Sequence, residues 1–139
     1  MKFRNIIYIL FLMFFIGCSK VIDEDDLIEK LSLKYLKNSS EPYTGDISSK
    51  FENGKNKIAG QYKEGKRTGK WTFFYKNGSK KDEGNYLNGS MHGEWVSYSK
   101  DGVTVSKGEY VIDKKNGLWK YWYNNGKKEK EVQFVDDKR

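Results

Sequence analysis

The sequence predicts an all-β protein: one elongated antiparallel sheet of stacked β-hairpins, with a short N-terminal helix or strand as its cap. Three observations predict it. First, a 24-residue period runs without insertion through Trp71, Trp95 and Trp119, through Gly45, Gly69, Gly93 and Gly117, through Gly60, Gly84 and Gly108, and through Tyr62, Tyr86 and Tyr110 with Phe134 as the conservative last member. A fixed period of this size signals a repeat architecture, in which each unit buries its apolar face against its neighbours. Second, Asn53-Gly54, Asn77-Gly78, Asp101-Gly102 and Asn125-Gly126 recur at the same spacing. Such pairs are preferred at the centre of a two-residue type I′ turn, where both residues need φ > 0. Third, the flanks of these pairs are aromatic and β-compatible rather than helical, as in Gly69 to Tyr86, GKWTFFYKNGSKKDEGNY. Of the 14 glycines, 11 lie on three ladders, so they build the architecture rather than a flexible linker.

The elements follow in chain order. Residues 1–17 read as a signal peptide: Lys2 and Arg4 precede the apolar run Ile6 to Ile16, which is shorter than the ~20 residues of a membrane-spanning helix. Phe15-Ile16-Gly17-Cys18 resembles a bacterial lipobox, cleaved before the cysteine. Cys18 is the only cysteine and has no disulfide partner, so lipidation explains it better than pairing. The alternative is an uncleaved membrane anchor with an incidental cysteine. Ser19 is not an inner-membrane retention signal of the Asp type, so by resemblance to enterobacterial sorting an outer-membrane address is expected in a Gram-negative host.

Residues 18–42 form the lipidated tether and cap. The acidic cluster Asp23 to Asp26 is placed to cap a short helix over Leu27 to Lys30. Leu31 to Tyr35 alternates apolar and polar and reads as a strand covering the open edge of the first repeat, with a helix through Leu36 as the alternative. Residues 43–135 hold four repeats. With Asn77-Gly78 as the turn, Lys76 pairs with Ser79, Trp71 lies opposite Gly84 and Gly69 opposite Tyr86. The same count puts Trp95 opposite Gly108 and Gly93 opposite Tyr110. Each ring is expected to cover the bare glycine across its hairpin. Trp119 and Gly117 continue these structural ladders. Alternation puts Gly69, Trp71, Phe73, Tyr75, Gly84 and Tyr86 on a buried face. The other face is polar apart from one central ring per repeat, the column Phe74, Tyr98 and Trp122. Polar loops such as Lys63 to Thr68 connect the hairpins, and the tail 136–139 is expected to fray.

The pattern Gly-x-Trp-x-x-Tyr/Phe, Asn-Gly, Gly-x-Tyr at a 24-residue period resembles the bacterial variant of the MORN (membrane occupation and recognition nexus) repeat. The lead-in Lys37 to Gly45 is similar to that family's as well, so the resemblance covers about residues 31–135. It departs at Ile47, where Trp is expected, and at Val132, where Gly is expected; terminal repeats are often atypical. What the resemblance implies about activity is loose. Some members are labelled antitoxins of toxin–antitoxin pairs, which would make this chain an antitoxin or immunity-type protein against an envelope-acting toxin. Some eukaryotic relatives bind phospholipid, which would make it a lipid-binding module.

The residues themselves point away from catalysis. His92 is the single histidine and occupies a loop position matched by Thr68 and Asn116, so no Ser-His-Asp triad, Cys/His zinc site or catalytic cysteine is built. The acids do not form a facing pair of glycosidase type, and no glycine run precedes a helix to cradle phosphate. No cofactor or metal is expected. The net charge is +7, and +5 once Lys2 and Arg4 are removed with residues 1–17. The basic residues are spread among acids rather than gathered in one stripe, which argues against nucleic acid. What remains is surface. The column Phe74, Tyr98 and Trp122, exposed in a polar field, is the candidate for contact with a protein or glycan partner, and cross-repeat packing is the alternative. The sequence thus predicts a non-enzymatic, lipid-anchored lipoprotein of the bacterial envelope that presents a β-repeat surface.

Overall fold

The computed structural model describes residues 20–139. The proposed signal peptide and Cys18 lie outside the described residues. Nine strands form one sheet in the order β1 (Ile22–Asp23), β4 (Gly45–Lys50), β5 (Asn56–Lys63), β6 (Lys66–Phe74), β7 (Lys80–Leu87), β8 (Ser90–Tyr98), β9 (Thr104–Val111), β10 (Lys114–Trp122) and β11 (Lys128–Phe134). From β4 onward every neighbour is the next strand in sequence and every pairing is antiparallel; β1 alone adds in parallel, through Ile22 opposite Ile47. Away from the turn the predicted register holds: Trp71 pairs with Gly84, Gly69 with Tyr86, Trp95 with Gly108 and Gly93 with Tyr110; near the turn it shifts, so that Phe74 pairs with Lys80 and Lys76 does not pair with Ser79.

Two local expectations are corrected. The Asn-Gly connections are not type I′ turns. Gly78 N–H donates to the Tyr75 carbonyl and Tyr75 N–H to the Ser79 carbonyl, which closes a three-residue loop over Lys76, Asn77 and Gly78. Only Gly78 is left-handed there, at φ +88°. This is a type I turn with a G1 bulge, and Asn77 suits it because its Oδ1 accepts the Ser79 N–H at 3.0 Å. The type I′ turns lie on the opposite edge, inside what reads in sequence as polar loops. Lys63 pairs with Lys66 and Leu87 with Ser90, so Glu64-Gly65 and Asn88-Gly89 are the two-residue turns, each with φ > 0 at both positions. Ile112-Asp113 repeats the geometry without a glycine, at φ +50° and +63°.

The second correction concerns the tryptophans. Gly84 pairs with Trp71 on one side and Trp95 on the other, and it is the Trp95 ring that lies on it: a Cβ added to Gly84 would sit 2.0 Å from Trp95 Cε3. Gly60 lies under Trp71 and Gly108 under Trp119 in the same way. Each ring therefore leans back onto the preceding strand, not across its own hairpin. The bulge that opens this path is at Gly69: Gln61 pairs with Thr68 and Ala59 with Thr72, so Gly60 alone faces Gly69, Lys70 and Trp71, and Gly69 takes φ +62°. The indole N–H of Trp71 then donates to the Gln61 and Thr68 carbonyls, both at 3.2 Å, filling acceptors that the bulge leaves out of the ladder.

The terminal departures now have a cause. A Trp at 47 would lean onto β1, where Ile22 carries a side chain, so the smaller Ile47 stands there. Val132 pairs with Trp119, and among the described residues no further strand lays a ring on it, so bare backbone is not needed there.

The cap differs from the helix expected over Leu27 to Lys30. The acidic cluster makes only a single 3-10 turn, Glu24–Asp26, capped by Asp23, whose side chain accepts the Asp25 N–H. Leu27–Lys30 (β2) then pairs with Leu33–Leu36 (β3) as a separate hairpin. Leu31-Ser32, expected to begin a strand that covers the open edge of the first repeat, instead supply the turn at φ +51° and +64°, and the edge of β4 is taken by β1. The tail is held too: Asp136-Asp137 form a turn with both φ positive, and Asp137 Oδ1 accepts the Lys115 N–H at 2.8 Å.

Repeats are joined along both edges. On the type I′ edge, the backbone N–H groups of Gly65, Gly89, Asp113 and Asp137 donate to the carbonyls of Tyr43, Arg67, Met91 and Lys115. On the other edge, Asn53 Nδ2 donates to the Lys76 carbonyl and Asn77 Nδ2 to the Lys100 carbonyl.

Candidate functional site: two aromatic faces

The lean of the tryptophans makes one face of the sheet a continuous chain of rings. Tyr62, Trp71, Tyr86, Trp95, Tyr110, Trp119 and Phe134 meet edge to face at centroid separations of 5.1 to 6.4 Å. Such pairs contribute about 0.5–1.5 kcal/mol each beyond area burial. The sheet thus obtains a core without a second layer. That core divides in two. The first cluster holds Leu27, Tyr43, Ile47, Ile58, Tyr62 and Trp71, with Ile22 against it, so the cap roofs it. The second holds Trp95, Trp119 and Phe134, and its partly buried surround is Met91, Tyr110, Tyr121 and Val132 with Phe73 and Tyr86.

Cations sit on the rings in both clusters. Arg67 lies 4.4 Å from the Trp71 ring centroid and 5.4 Å from that of Tyr86. It also donates to Tyr86 Oη and pairs with Glu24 of the cap at 3.6 Å. Glu24 Oε1 accepts the Tyr62 hydroxyl at 3.1 Å. Burial pushes the Tyr62 hydroxyl up despite the guanidinium beside it. Lys115 repeats the stacking at the other end, 4.3 Å from Trp119, 5.3 Å from Phe134 and 5.6 Å from Tyr121. Neither cation was singled out in sequence. The signal was available, since Arg67, Met91 and Lys115 stand 24 apart.

The opposite face carries the predicted column. Phe74, Tyr98 and Trp122 are half-buried rather than freely exposed. Tyr98 shows why: its hydroxyl donates to Glu83 Oε1 at 2.7 Å, while Lys80 and Lys70 approach Glu83 Oε2 at 2.8 and 3.0 Å. These donors, Lys80 first and then Tyr98, hold the Glu83 carboxyl down at about 2. Burial and the adjoining carboxylate push Tyr98 up to about 12. Trp122 stands between two open clefts. One, of about 500 Å³, is lined by Glu94, Lys107, Glu109, Leu118 and Lys120. The other, of about 570 Å³, is lined by Tyr98, Ser99, Lys100, Asp101, Tyr123 and Asn124. The ladder residues Gly69, Trp71, Gly84, Tyr86, Gly93, Trp95, Gly108, Tyr110, Gly117 and Trp119 all serve the fold as described, and His92 is an exposed strand residue rather than a loop one. Among the described residues no group of three or more His, Cys, Asp or Glu side chains could hold a metal ion.

Sheet and site together define a stacked-hairpin repeat protein with two aromatic-bearing faces. Residues 67–88, 91–111 and 115–136 each match the family described as MORN repeat variant. These are the second to fourth hairpins of the array; the first, β4–β5, has the same geometry but lies outside the match. No curated protein matches the chain at a significant level. Repeats of this kind indicate a repeat-based binding module.

Proposed function

We propose that this protein is a non-enzymatic lipoprotein, anchored to a bacterial envelope membrane through acylated Cys18, that presents its repeat sheet to a protein or glycan partner. The observation that carries the binding surface is Trp122, a half-buried ring between two open clefts of mixed lining, in one column with Tyr98 and Phe74. A rigid sheet that fixes such rings supplies large contact area at little entropic cost. The anchor reading is supported by the position of the sole cysteine behind the apolar run. A bacterial lipoprotein cysteine carries more than one acyl chain, which is what stable anchoring takes.

The test is a pull-down from envelope extract with wild type and with Phe74, Tyr98 and Trp122 changed together to Thr. The partner is expected to be lost, because interface aromatics often cost about 2 kcal/mol or more each when truncated. A triple variant that melts as a folded sheet and still retains the partner removes the column from the function. Anchoring is checked by metabolic labelling with a fatty-acid analogue: wild type should take label and Cys18→Ala should not.

A further inference from the structure

The aromatic face contains one site twice, and only one copy is filled. In the filled copy the carboxylate of Glu24 bridges the Tyr62 hydroxyl and the Arg67 guanidinium, while Arg67 lies over Trp71. Forty-eight residues on, two repeat periods, Tyr110 stands for Tyr62, Lys115 for Arg67, Trp119 for Trp71, Tyr121 for Phe73 and Phe134 for Tyr86. The ring packing is reproduced: Tyr62 meets Trp71 at 5.2 Å and 85°, and Tyr110 meets Trp119 at 5.1 Å and 81°. The cation lies over its Trp at 4.4 Å in one copy and 4.3 Å in the other. What differs is the carboxylate. Lys115 Nζ bonds Tyr121 Oη at 3.2 Å and makes no ion pair among the described residues, and Tyr110 Oη has no hydrogen bond there. Burial first, and then the charge of Asp137 with a smaller part from Asp82, raises the Tyr110 hydroxyl, but neither carboxylate hydrogen-bonds it: Asp137 Oδ1 accepts the Lys115 backbone N–H and Asp82 Oδ1 the Ser97 hydroxyl. The intervening repeat cannot host the same contact, because Met91 replaces the cation.

We propose that the fourth-repeat face, at Tyr110 and Lys115, docks the carboxylate of an acidic segment of a partner protein, as the second-repeat face docks Glu24. The cap is the template for the occupant. It brings an acid three residues before an apolar Leu27 onto the rings, and the ledge of half-buried Tyr110, Tyr121 and Met91 offers the same mixture to a guest. Charge complementarity selects an acidic segment, since Lys115 and Lys130 both lie over Tyr121. Arg67 shows that the cation can keep its place on the Trp ring while pairing, so the guest displaces nothing. This face is opposite the Phe74, Tyr98 and Trp122 column, so the two sites stand or fall separately.

The probe is a synthetic peptide copying residues 21–30, titrated into the full chain while Trp fluorescence and backbone amide shifts are followed. Saturable binding with shifts centred on β10 and β11 is expected. Lys115→Met, which copies the third repeat, should weaken it about tenfold, the loss of one charged hydrogen bond. A peptide with Gln at the Glu24 position should bind wild type as weakly and Lys115→Met no more weakly still. Equal binding to wild type and to a folded Lys115→Met overturns the proposal, as does absence of saturation. Binding lost instead in Arg67→Met means that the peptide merely exchanges with the chain's own cap. Self-association abolished by Lys115→Met would make the occupant a second copy and overturn the assignment to a partner.

Discussion

The two halves of the ring ladder are built from the same repeat yet end differently. In the first, Trp71 is fully buried and Tyr62 is 3% exposed beneath Ile22, Glu24 and Leu27. In the second, Trp95 keeps 8% exposure, and its roof is Met91, Lys115 and the edges of neighbouring rings. The repeat supplies sheet, bulge and ring, and it buries Trp119 and Phe134 to 2% and 5% exposure without a cap; residues 20–36 add a roof over the first half. The uncapped half is thus a core closed only by ring edges and Lys115, with half-buried Met91, Tyr110 and Tyr121 at a place a partner can reach.

The strongest way to break this comparison is to attack what both halves share. Gly60→Val and Gly108→Val each place a side chain inside a tryptophan ring, with Cβ 2.3 Å from Trp71 and Trp119. Both should lower stability by about 3 kcal/mol, the upper range for overpacking. Thermal melts in which only one matters would mean that the halves do not share a packing unit. The next largest effect belongs to the roof. Leu27→Ala should cost about 2–3 kcal/mol. Hydrogen exchange should speed up around β4 and β5 but not around β10, because contacts in such an array run between neighbours. Uniform acceleration would show one cooperative core and erase the distinction.

The smallest effect tests the other face, where the halves are joined. Glu83 links Lys70 of β6 to Tyr98 of β8. Its carboxyl is depressed from 4.5 to about 2. A group depressed on folding contributes stability that is full above its unfolded value. That contribution drains away as pH falls from about 4.5 towards 2. Because Lys70 and Lys80 are 63% and 50% exposed and screened by salt, about 1 kcal/mol is expected rather than the whole shift. Glu83→Gln should flatten that part of the stability–pH curve. An unchanged slope would assign the acid sensitivity elsewhere.

Much of this was legible in the residues. The period, the strand register and the facing of Trp71 against Gly84 follow from counting outward from Asn77-Gly78. The turn types did not follow, because Asn-Gly satisfies both a type I′ turn and a type I turn with a bulge. The Asn77 side chain decides, by capping Ser79, and no propensity encodes that. The pair Ile112-Asp113 hid the true type I′ row by carrying no glycine. The lean of each ring was hidden as well, since Gly84 has a tryptophan on either side. At the site level, alternation alone sets the column on the face opposite the tryptophans. Its half-burial was not visible, because the Tyr98 to Glu83 bond depends on which cross-strand neighbour lies within reach. In the sequence Arg67 and Lys115 look like dispersed charge, because pattern alone does not separate a lysine in water from one on an indole ring.

The backward lean of the rings also gives the array two unlike ends. A strand bearing a tryptophan could join the free flank of β11 only over bare backbone, and Val132 occupies that place. At the other flank Ile47 has no indole to extend, and Ile22 already sits there. Val132 and Ile47, at the two ends of the ladder, thus stand where the internal repeats carry Gly and Trp, so neither flank presents the joint that links one repeat to the next.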